Sequence, residues 1–366
     1  MWPKTILYAL IAILPLNENV VFDDPKHTFV IAEAGSNWKC GTFDQDLNQA
    51  KQLIKTAAKS GCDAVKFQTF RSETVYAQNA GKSDYLSEVG YSKDINEIFA
   101  NLAMPYEMIP ELAKICKQEN ILFMSTPFSI EDAKHIDEFV PIHKLSSYEI
   151  NHVRLLEYLS KTNKPLLIST GASTYKQIDF AVDLAKKMTE AKIGLMQCTA
   201  KYPCDLNSLN LSVIPKMISK YGLSVGLSDH SMDPILSPIL AIGYGATFIE
   251  KHFTLDRNLS GPDHSFALIP SELELMVSSI RKADDAKGTG NKEILDVEQE
   301  LWRFATRSIQ ATKNIKKGDV LKEGYNIDVL RPGNRTRGLD ALMLNQVNGK
   351  KSTKDYLPGD GIVDFD

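Results

Sequence analysis

Short apolar runs recur along the chain, and stretches with helical spacing separate most of them. The eight runs, rich in Val, Ile, Leu and Phe, are TFVIAEAG (28–35), DAVKFQTF (63–70), ILFMSTPF (121–128), PIHKLSS (141–147), PLLISTG (165–171), IGLMQCT (193–199), LSVGLSDH (223–230) and ATFIEKHF (246–253). Amphipathic spacing is clearest in 44–61, 108–120, 174–188 and 270–286. Parallel strands that are covered on both faces read as uninterrupted apolar runs. The alternation therefore predicts an α/β fold, a (β/α)8 TIM barrel over residues 25–287.

The barrel pattern does not extend over the whole chain. After it, a polar Gly- and Lys-containing segment predicts a linker over 288–304, and turn signals at Lys317-Gly318 and Pro332-Gly333 indicate a small folded domain over 305–366. Residues 1–24 form an N-terminal extension. Its apolar stretch KTILYALIAILPL (4–16) has the outline of a weak signal peptide, but no small-x-small cleavage site follows and it is too short to span a bilayer. For this stretch, a segment packed on the domain or a misplaced start codon is favoured over an export signal.

Composition excludes several classes of partner. The chain has 366 residues, 24% of them charged, and a formal net charge of -4, so it lacks the basic excess of a protein that holds nucleic acid. The five cysteines are odd in number, scattered and without a CxxC pair, which argues against a disulfide framework and a zinc ribbon. We expect a cytoplasmic protein that has neither nucleic acid nor membrane as a partner.

Polar side chains cluster at the C-terminal ends of the apolar runs. In chain order they are Glu33 and Asn37; Lys66 and Gln68; Ser125 and Thr126; Lys144, Ser147 and Glu149; Ser169 and Thr170; Gln197 and Thr199; Ser228, Asp229 and His230; Glu250, Lys251 and His252. Barrels of this class build their sites at that face. His230 and His252 end the seventh and eighth predicted strands, which are neighbours, so the two imidazoles can share a ligand.

Structural roles compete with these functional ones. A single histidine at a strand end is more often a hydrogen-bonded structural residue than a metal ligand, but two on adjacent strands reverse the preference. Lys66 can be a lysine that snorkels to water, yet it interrupts a run fit for burial, and a buried ammonium needs an anion such as a phosphate or a carboxylate. The Ser/Thr pairs in STPF and STG can cap helices or bind phosphate.

A series of motifs carries a resemblance to a known family. In order they are IAEAGSNWKCG, AVKFQTF, FMSTPF, KLSSYE, ISTGAS, QCTAKYP, GLSDHSMD, EKHFTLDRNLSGPDH, IKKGDVL and LRPGN. This set resembles the sialic acid synthase family, the bacterial synthases of N-acetylneuraminic, legionaminic and pseudaminic acids. The resemblance runs from about Phe29 to the C-terminus. It implies that 305–366 is an antifreeze-like (SAF) domain, which in the family swaps across a homodimer to cover the partner's barrel.

The resemblance also implies a reaction, in which phosphoenolpyruvate condenses with an N-acetylated hexosamine such as N-acetylmannosamine and phosphate leaves with its C–O bond broken. That is the chemistry of a C–C bond-forming transferase. His230 and His252 match the ligands of a divalent metal, Mn²⁺ or Mg²⁺. The positions that match phosphoenolpyruvate contacts are Lys66, Gln68, Thr126, Lys144, Ser147, Ser169 and Ser228. Those that match sugar contacts or catalytic groups are Glu33, Glu149, Tyr202 and Asp263, with Arg331 reaching the partner's sugar site.

The chain departs from the family pattern in two places. Ala200 stands where a polar residue usually follows Cys-Thr, and Gln197 takes a histidine-like position. The loop NWKCG replaces a common Asn-His-Asn-Gly, so Trp38 and Lys39 are expected to alter the substrate loop. Three alternatives stay open: a synthase for a legionaminic or pseudaminic acid precursor, another phosphoenolpyruvate aldol-type synthase, and a catalytically silent sugar-phosphate-binding relative.

Overall fold

The computed structural model describes residues 24–88 and 90–366, and the chain divides into two units, the first ending at Gly288 and the second spanning Thr289–Asp366. The predictions about the signal-like segment and the N-terminal extension concern residues up to 24, and residues 1–23 lie outside the described part. No helix in the described ranges is both long and apolar enough to cross a membrane.

The first unit is built on eight strands. They are β1 (Phe29–Gly35), β2 (Ala64–Thr69), β3 (Leu122–Pro127), β4 (His143–Leu145), β5 (Leu166–Ser169), β6 (Ile193–Cys198), β7 (Ser224–Asp229) and β8 (Phe248–His252). They form one sheet in the order β3-β2-β1-β8-β7-β6-β5-β4, and every ladder in it is parallel. Because β1 pairs with β8, the eight strands form a nearly closed barrel, in which the described residues of β3 and β4 share no ladder, and the predicted (β/α)8 barrel is confirmed.

Helices cover the outside of the barrel. They are α1 (Phe43–Lys59), α2 (Ser72–Val75), α3 (Asp84–Glu88), α4 (Ile95–Leu102), α5 (Met108–Gln118), α6 (Ile130–Asp137), α7 (Val153–Lys161), α8 (Tyr175–Met188), α9 (Val213–Tyr221), α10 (Leu236–Gly243) and α11 (Pro270–Lys287). In α1, Ala50, Leu53, Ile54 and Ala57 recur on one face and are fully buried. That spacing buries one stripe of the helix against the barrel.

Residues 71–102, between β2 and α5, form an excursion that contains α2, α3 and α4. Phe70, Ile95 and Ile98 are the centre of a small apolar cluster of its own, and Phe128 from the loop after β3 packs against it. The excursion therefore joins the barrel at its C-terminal face.

The second unit contains α12 (Gln299–Ala305), β9 (Ser308–Ala311), β10 (Ile327–Leu330) and α13 (Leu344–Val347). Strands β9 and β10 pair antiparallel, and a separate core that includes Ile309, Leu321, Ile327 and Ile362 lies beside them. Helix α12 falls inside the segment predicted as a linker. The assignment of this unit as an SAF domain stays a prediction.

Candidate active site

A polar cavity opens at the C-terminal ends of the barrel strands. Each of the eight strands contributes at least one lining side chain: Glu33, Lys66, Gln68, Thr126, Lys144, Ser169, Cys198, Ser228, Glu250 and His252. The loops that follow the strands add Phe128, Ser146, Ser147, Tyr148, Tyr202 and His230. Eleven of the fourteen predicted site residues thus line one cavity at one face of the barrel, as expected.

Two buried lysines face the cavity. The Lys66 ammonium lies 2.5 Å from Glu33 Oε2 and 3.5 Å from a Glu250 oxygen, and it donates to Thr126 Oγ1 at 3.1 Å. The Lys144 ammonium donates to Ser169 Oγ at 2.7 Å and lies 3.8 Å from Glu250 Oε2. Lys66 does not snorkel to water, because only 2% of it is exposed. Glu33 and Glu250 are the anionic partners that a buried ammonium at Lys66 was predicted to need.

Burial and charge shift the pKa values of this group in different directions. Burial opposes the charged form of Lys66, but Glu250 and Glu33 outweigh it and raise its pKa. Burial lowers the pKa of Lys144, against the pull of Glu250. Burial raises the pKa of Glu33 to about 7, although Lys66 opposes the rise. Burial also acts to raise the pKa of Glu250, but the two lysines hold it below its ordinary value. The surroundings therefore favour the charged forms of Lys66 and Glu250, while burial works against the charged form of Lys144.

The two histidines lie side by side at the cavity wall. Their ring centroids are 5.6 Å apart, and the Tyr202 ring lies 4.0 Å from that of His230. The His230 Nδ1–H donates to the Thr199 carbonyl at 2.8 Å, which leaves Nε2 as the free acceptor. His252 Nδ1 is buried and has no hydrogen-bond partner among the described residues.

These donors fit a divalent cation with open coordination positions. Within the described residues no group of three or more His, Cys, Asp or Glu side chains is arranged to hold a metal. Two imidazoles that face one polar cavity nevertheless suit a first-row divalent ion whose other positions are filled by water or substrate. His230 and His252 would hold it, and the orphaned nitrogen of His252 is the observation that supports this assignment.

Three predicted site residues lie outside the cavity lining. The carboxylate of Glu149 is buried behind the wall and accepts from Ser146 Oγ. Its burial raises its pKa to about 7, against the opposing charge of Lys144. Asp263 accepts from the Ser36 N–H at 2.9 Å and from Ser36 Oγ at 2.8 Å. Arg331 is exposed and lies in the second unit, directly after β10.

Of the cavity residues in the described part of the chain, five were not among the predicted site residues: Phe128, Ser146, Tyr148, Cys198 and Glu250. Side chains two residues apart on a strand point to the same side, so Glu250 had to share the face of His252. The same alternation sends Asp229 and Lys251 outwards, where they form a buried ion pair of 2.5 Å. Glu250, Asp229 and Lys251 all belong to the polar strand ends. Period-two alternation separates Glu250, which faces inwards, from Asp229 and Lys251, which face outwards.

The two departures from the family pattern do not face the cavity. Trp38 is 1% exposed and belongs to the core, and Lys39 pairs with Asp46 at 2.6 Å. Gln197 is buried and donates to the Leu209 carbonyl at 3.0 Å, and Ala200 does not line the cavity. Trp38 and Lys39 therefore make no direct contribution to the lining of this cavity, and the expectation that they alter the substrate loop stays a prediction.

The serine and threonine pairs at the ends of β3 and β5 do not cap helices. Thr126 and Ser169 line the cavity, and each accepts from a lysine. The caps are formed by Ser129 for α6 and by Thr174 for α8. The position of Thr126 and Ser169 in the cavity therefore favours the phosphate-binding alternative over helix capping for these two residues.

An eight-stranded parallel barrel whose strand ends surround buried lysines, carboxylates and paired histidines is typical of the barrel enzymes that act on small anionic molecules. Comparison with known proteins defines the group more closely. The NeuB family model matches residues 53–292, and the chain belongs to that family.

Its relatives are similar over nearly their whole length. The chain is 37% identical to the spore coat polysaccharide biosynthesis protein SpsE of Bacillus subtilis, over 95% of each chain. It is 36% identical to the N,N'-diacetyllegionaminic acid synthase of Campylobacter jejuni, over 90% of this chain and 97% of the relative. The crystal structure of an N-acetylneuraminic acid (sialic acid) synthetase from Leptospira borgpetersenii superposes with a TM-score of 0.67 at 32% identity, covering 76% of this chain and 90% of that one.

Proposed function

We propose that the protein is a nonulosonic acid synthase that joins phosphoenolpyruvate to an acylamino hexose. The observation that carries the proposal is the pair of buried lysines facing one cavity, ringed by hydroxyl groups, in a member of the NeuB family. In the balanced reaction, C3 of phosphoenolpyruvate bonds to the sugar aldehyde carbon, whose oxygen gains a proton. Water then adds at C2, and phosphate leaves with its C–O bond broken.

Lys66 and Lys144 are the cations for the phosphate and carboxylate of phosphoenolpyruvate. Both ammonium groups are buried, so their charges act through a medium of low polarity and are positioned before the ligand arrives. Thr126 and Ser169 already accept from these lysines, and Ser147 and Ser228 line the same cavity. Gln68 donates to Glu33 at 2.8 Å and completes this polar wall.

Glu33 and Glu149 are the proposed proton-transfer groups. Both have pKa values raised to about 7 by burial, so each exists in protonated and ionised forms near neutral pH. A general acid or base works best when its pKa lies near the working pH. Glu33 lines the cavity, whereas Glu149 would act through Ser146, which does line it. Asp263 is proposed to hold the sugar from its position beside Ser36.

His230 and His252 are proposed to bind Mn²⁺ or Mg²⁺. Bound there, the ion supplies a Lewis acid that polarises the sugar aldehyde. The chain's own contribution is to hold the two rings. Tyr202 lies 4.0 Å from His230 by ring centroids, and Phe266 lies 5.2 Å from His252, so aromatic side chains restrict the orientation of both imidazoles.

The sugar is proposed to be an N-acetylated hexosamine. Relatives are named for legionaminic, pseudaminic and N-acetylneuraminic acid products, so N-acetylmannosamine and the 2,4-diacetamido-2,4,6-trideoxyhexoses are the candidates. By family resemblance, Tyr202 contacts the sugar and Arg331 reaches it from the partner of a domain-swapped homodimer. A cytoplasmic location accords with the use of phosphoenolpyruvate.

The experiment is phosphate release by the purified protein with phosphoenolpyruvate and Mn²⁺, with each sugar offered in parallel. Lys66→Met and His230→Ala are expected to abolish release. Lys134→Met is the matched control, because Lys134 is an exposed lysine on α6 that pairs with the neighbouring Glu131. Its activity is expected to equal that of the wild type.

Isotope labelling separates this reaction from simple phosphatase activity. In H₂¹⁸O, C–O cleavage puts the label into the keto acid and leaves the phosphate unlabelled, whereas attack of water on phosphorus labels the phosphate. Labelled phosphate, or the absence of release with every sugar, would contradict the proposal. Binding of phosphoenolpyruvate without turnover would favour the silent binding relative.

A further inference from the structure

The polar residues at the ends of β7 and β8 face two sides. Ser228, Glu250 and His252 line the cavity, while Asp229 and Lys251 point outwards between the barrel and α10. The outer residues are almost fully buried, at 1% exposure each. A buried ion pair is expensive to desolvate, so its presence next to both candidate metal ligands calls for a physical reason.

The Asp229–Lys251 network is dense and fully connected. The Lys251 ammonium donates to Asp229 Oδ2 at 2.5 Å, to Ser231 Oγ at 3.1 Å and to the Asp233 carbonyl at 2.8 Å. Ser237 Oγ, on α10, donates to the same carboxylate oxygen at 2.5 Å, and the Ser231 N–H donates to Asp229 Oδ1 at 2.8 Å. The network therefore ties β8 to the segment on either side of His230.

Backbone pairing between the two strands extends as far as the residues that directly precede the histidines. The ladder between β7 and β8 ends with the pair Asp229 and Lys251. Beyond it, the His230 carbonyl accepts from the Cys204 N–H, and the His252 carbonyl accepts from the Leu268 N–H, each at 2.9 Å. Both histidine carbonyls are thus held by segments other than each other's strand. The Asp229–Lys251 side-chain ion pair therefore adds a polar link to the backbone ladder at the last paired position before the two rings.

We propose that Asp229 and Lys251 are positioning residues that fix the separation of His230 and His252 for a shared divalent cation. This inference rests on the proposed metal site and adds the outer pair to it. The pair acts on the strand ends rather than on the metal. Weakening it lets the two backbones move apart, and a site built from two protein ligands depends strongly on their spacing.

The test is Mn²⁺ binding without substrates, measured from the loss of the free-ion signal in electron paramagnetic resonance. The double variant Asp229→Asn/Lys251→Met removes both charges and keeps the side-chain volumes, a change that buried pairs often tolerate. Its Mn²⁺ dissociation constant is expected to rise at least about tenfold, the size of effect seen when groups supporting metal ligands are lost. Phosphoenolpyruvate binding in the presence of EDTA is expected to be unchanged, because the Lys66 and Lys144 side of the cavity is untouched.

The matched control is Asp63→Asn/Arg281→Met. Asp63 and Arg281 form an ion pair of 2.8 Å, and Asp63 immediately precedes β2, at the opposite end of the barrel. Loss of that pair is expected to lower the melting temperature without changing Mn²⁺ affinity. The single variant Asp229→Asn keeps the shape of the side chain, and an intermediate loss of affinity is expected there.

The outcomes are distinct. A folded Asp229→Asn/Lys251→Met protein that binds Mn²⁺ as the wild type does would overturn the inference. If that variant does not fold, the Mn²⁺ affinity of the Asp229→Asn protein is measured instead. An affinity equal to that of the wild type would likewise overturn the inference. Failure of the wild type itself to bind Mn²⁺ would instead remove the proposed metal site, before any variant is compared.

Discussion

Replacing Glu149 by glutamine is expected to stabilise the protein at alkaline pH. Burial raises the pKa of this carboxyl from 4.5 to about 7, so the folded protein holds the proton more tightly than the unfolded chain does. The stability that the protonated form contributes is complete below pH 4.5 and is lost as the pH rises through about 7. The shift corresponds to about 3 kcal/mol at pH 8. Glutamine avoids that loss because it is neutral at every pH.

The assay is urea unfolding of the wild type and the variant at pH 5 and pH 8. Glu149→Gln is expected to gain up to about 3 kcal/mol over the wild type at pH 8 and much less at pH 5. Glu131→Gln serves as the control, because Glu131 is 60% exposed on α6 and its substitution is expected to have a small effect at both pH values. A gain that is equal at the two pH values, or a loss at pH 8, would refute the reasoning. Phosphate release should fall in the same variant if Glu149 takes part in proton transfer.

Three further predictions concern other parts of the molecule. Gly35 has a φ of +53°, and a Cβ there would lie 2.6 Å from Asp263 Oδ2. Gly35→Ala should therefore lower the free energy of unfolding by about 1 to 2 kcal/mol or more. An unchanged urea midpoint would contradict this prediction. Burial lowers the pKa of His143 to about 4, so the stability contributed by the neutral imidazole is present above pH 6.5 and is lost as the pH falls towards 4. The His143→Gln protein should therefore lose less stability than the wild type over that pH range. Parallel profiles of stability against pH for the two proteins would contradict this prediction. Co-expression of Arg331→Ala with His230→Ala should restore about a quarter of wild-type phosphate release if the dimer is swapped, whereas activity no higher than in either variant alone would exclude the swap.

The sequence predicted the barrel because its strands are buried on both faces. β1 is buried at every position, and such a run can be recognised without knowledge of its neighbours. A polar site at the C-terminal face could also be predicted, because Lys66 and Lys144 each interrupt an apolar run that is otherwise fit for burial. The order of the strands then brought the predicted groups together without further information.

Other features could not be read from the chain because they depend on tertiary packing. Trp38 is a large aromatic residue in a loop, and only the structure shows that it fills the core rather than meeting substrate. Glu250 and Lys251 are adjacent charges whose separate surroundings depend on strand alternation and on what covers each face. The raised pKa of Glu149 arises from burial behind Ser146, which no local pattern reveals.

The charged cavity has a consequence for the melting behaviour of the protein. Lys66, Lys144, Glu33 and Glu250 are all buried at one end of the barrel, and ionised groups there cost desolvation energy in every folded molecule. A dianion that binds them only in the folded state adds stability with its concentration, about 2.7 kcal/mol at a hundred times its dissociation constant. The melting temperature thus becomes a direct gauge of occupancy. Compounds can be ranked by how far they raise it, even when the sugar that completes the reaction has not yet been supplied.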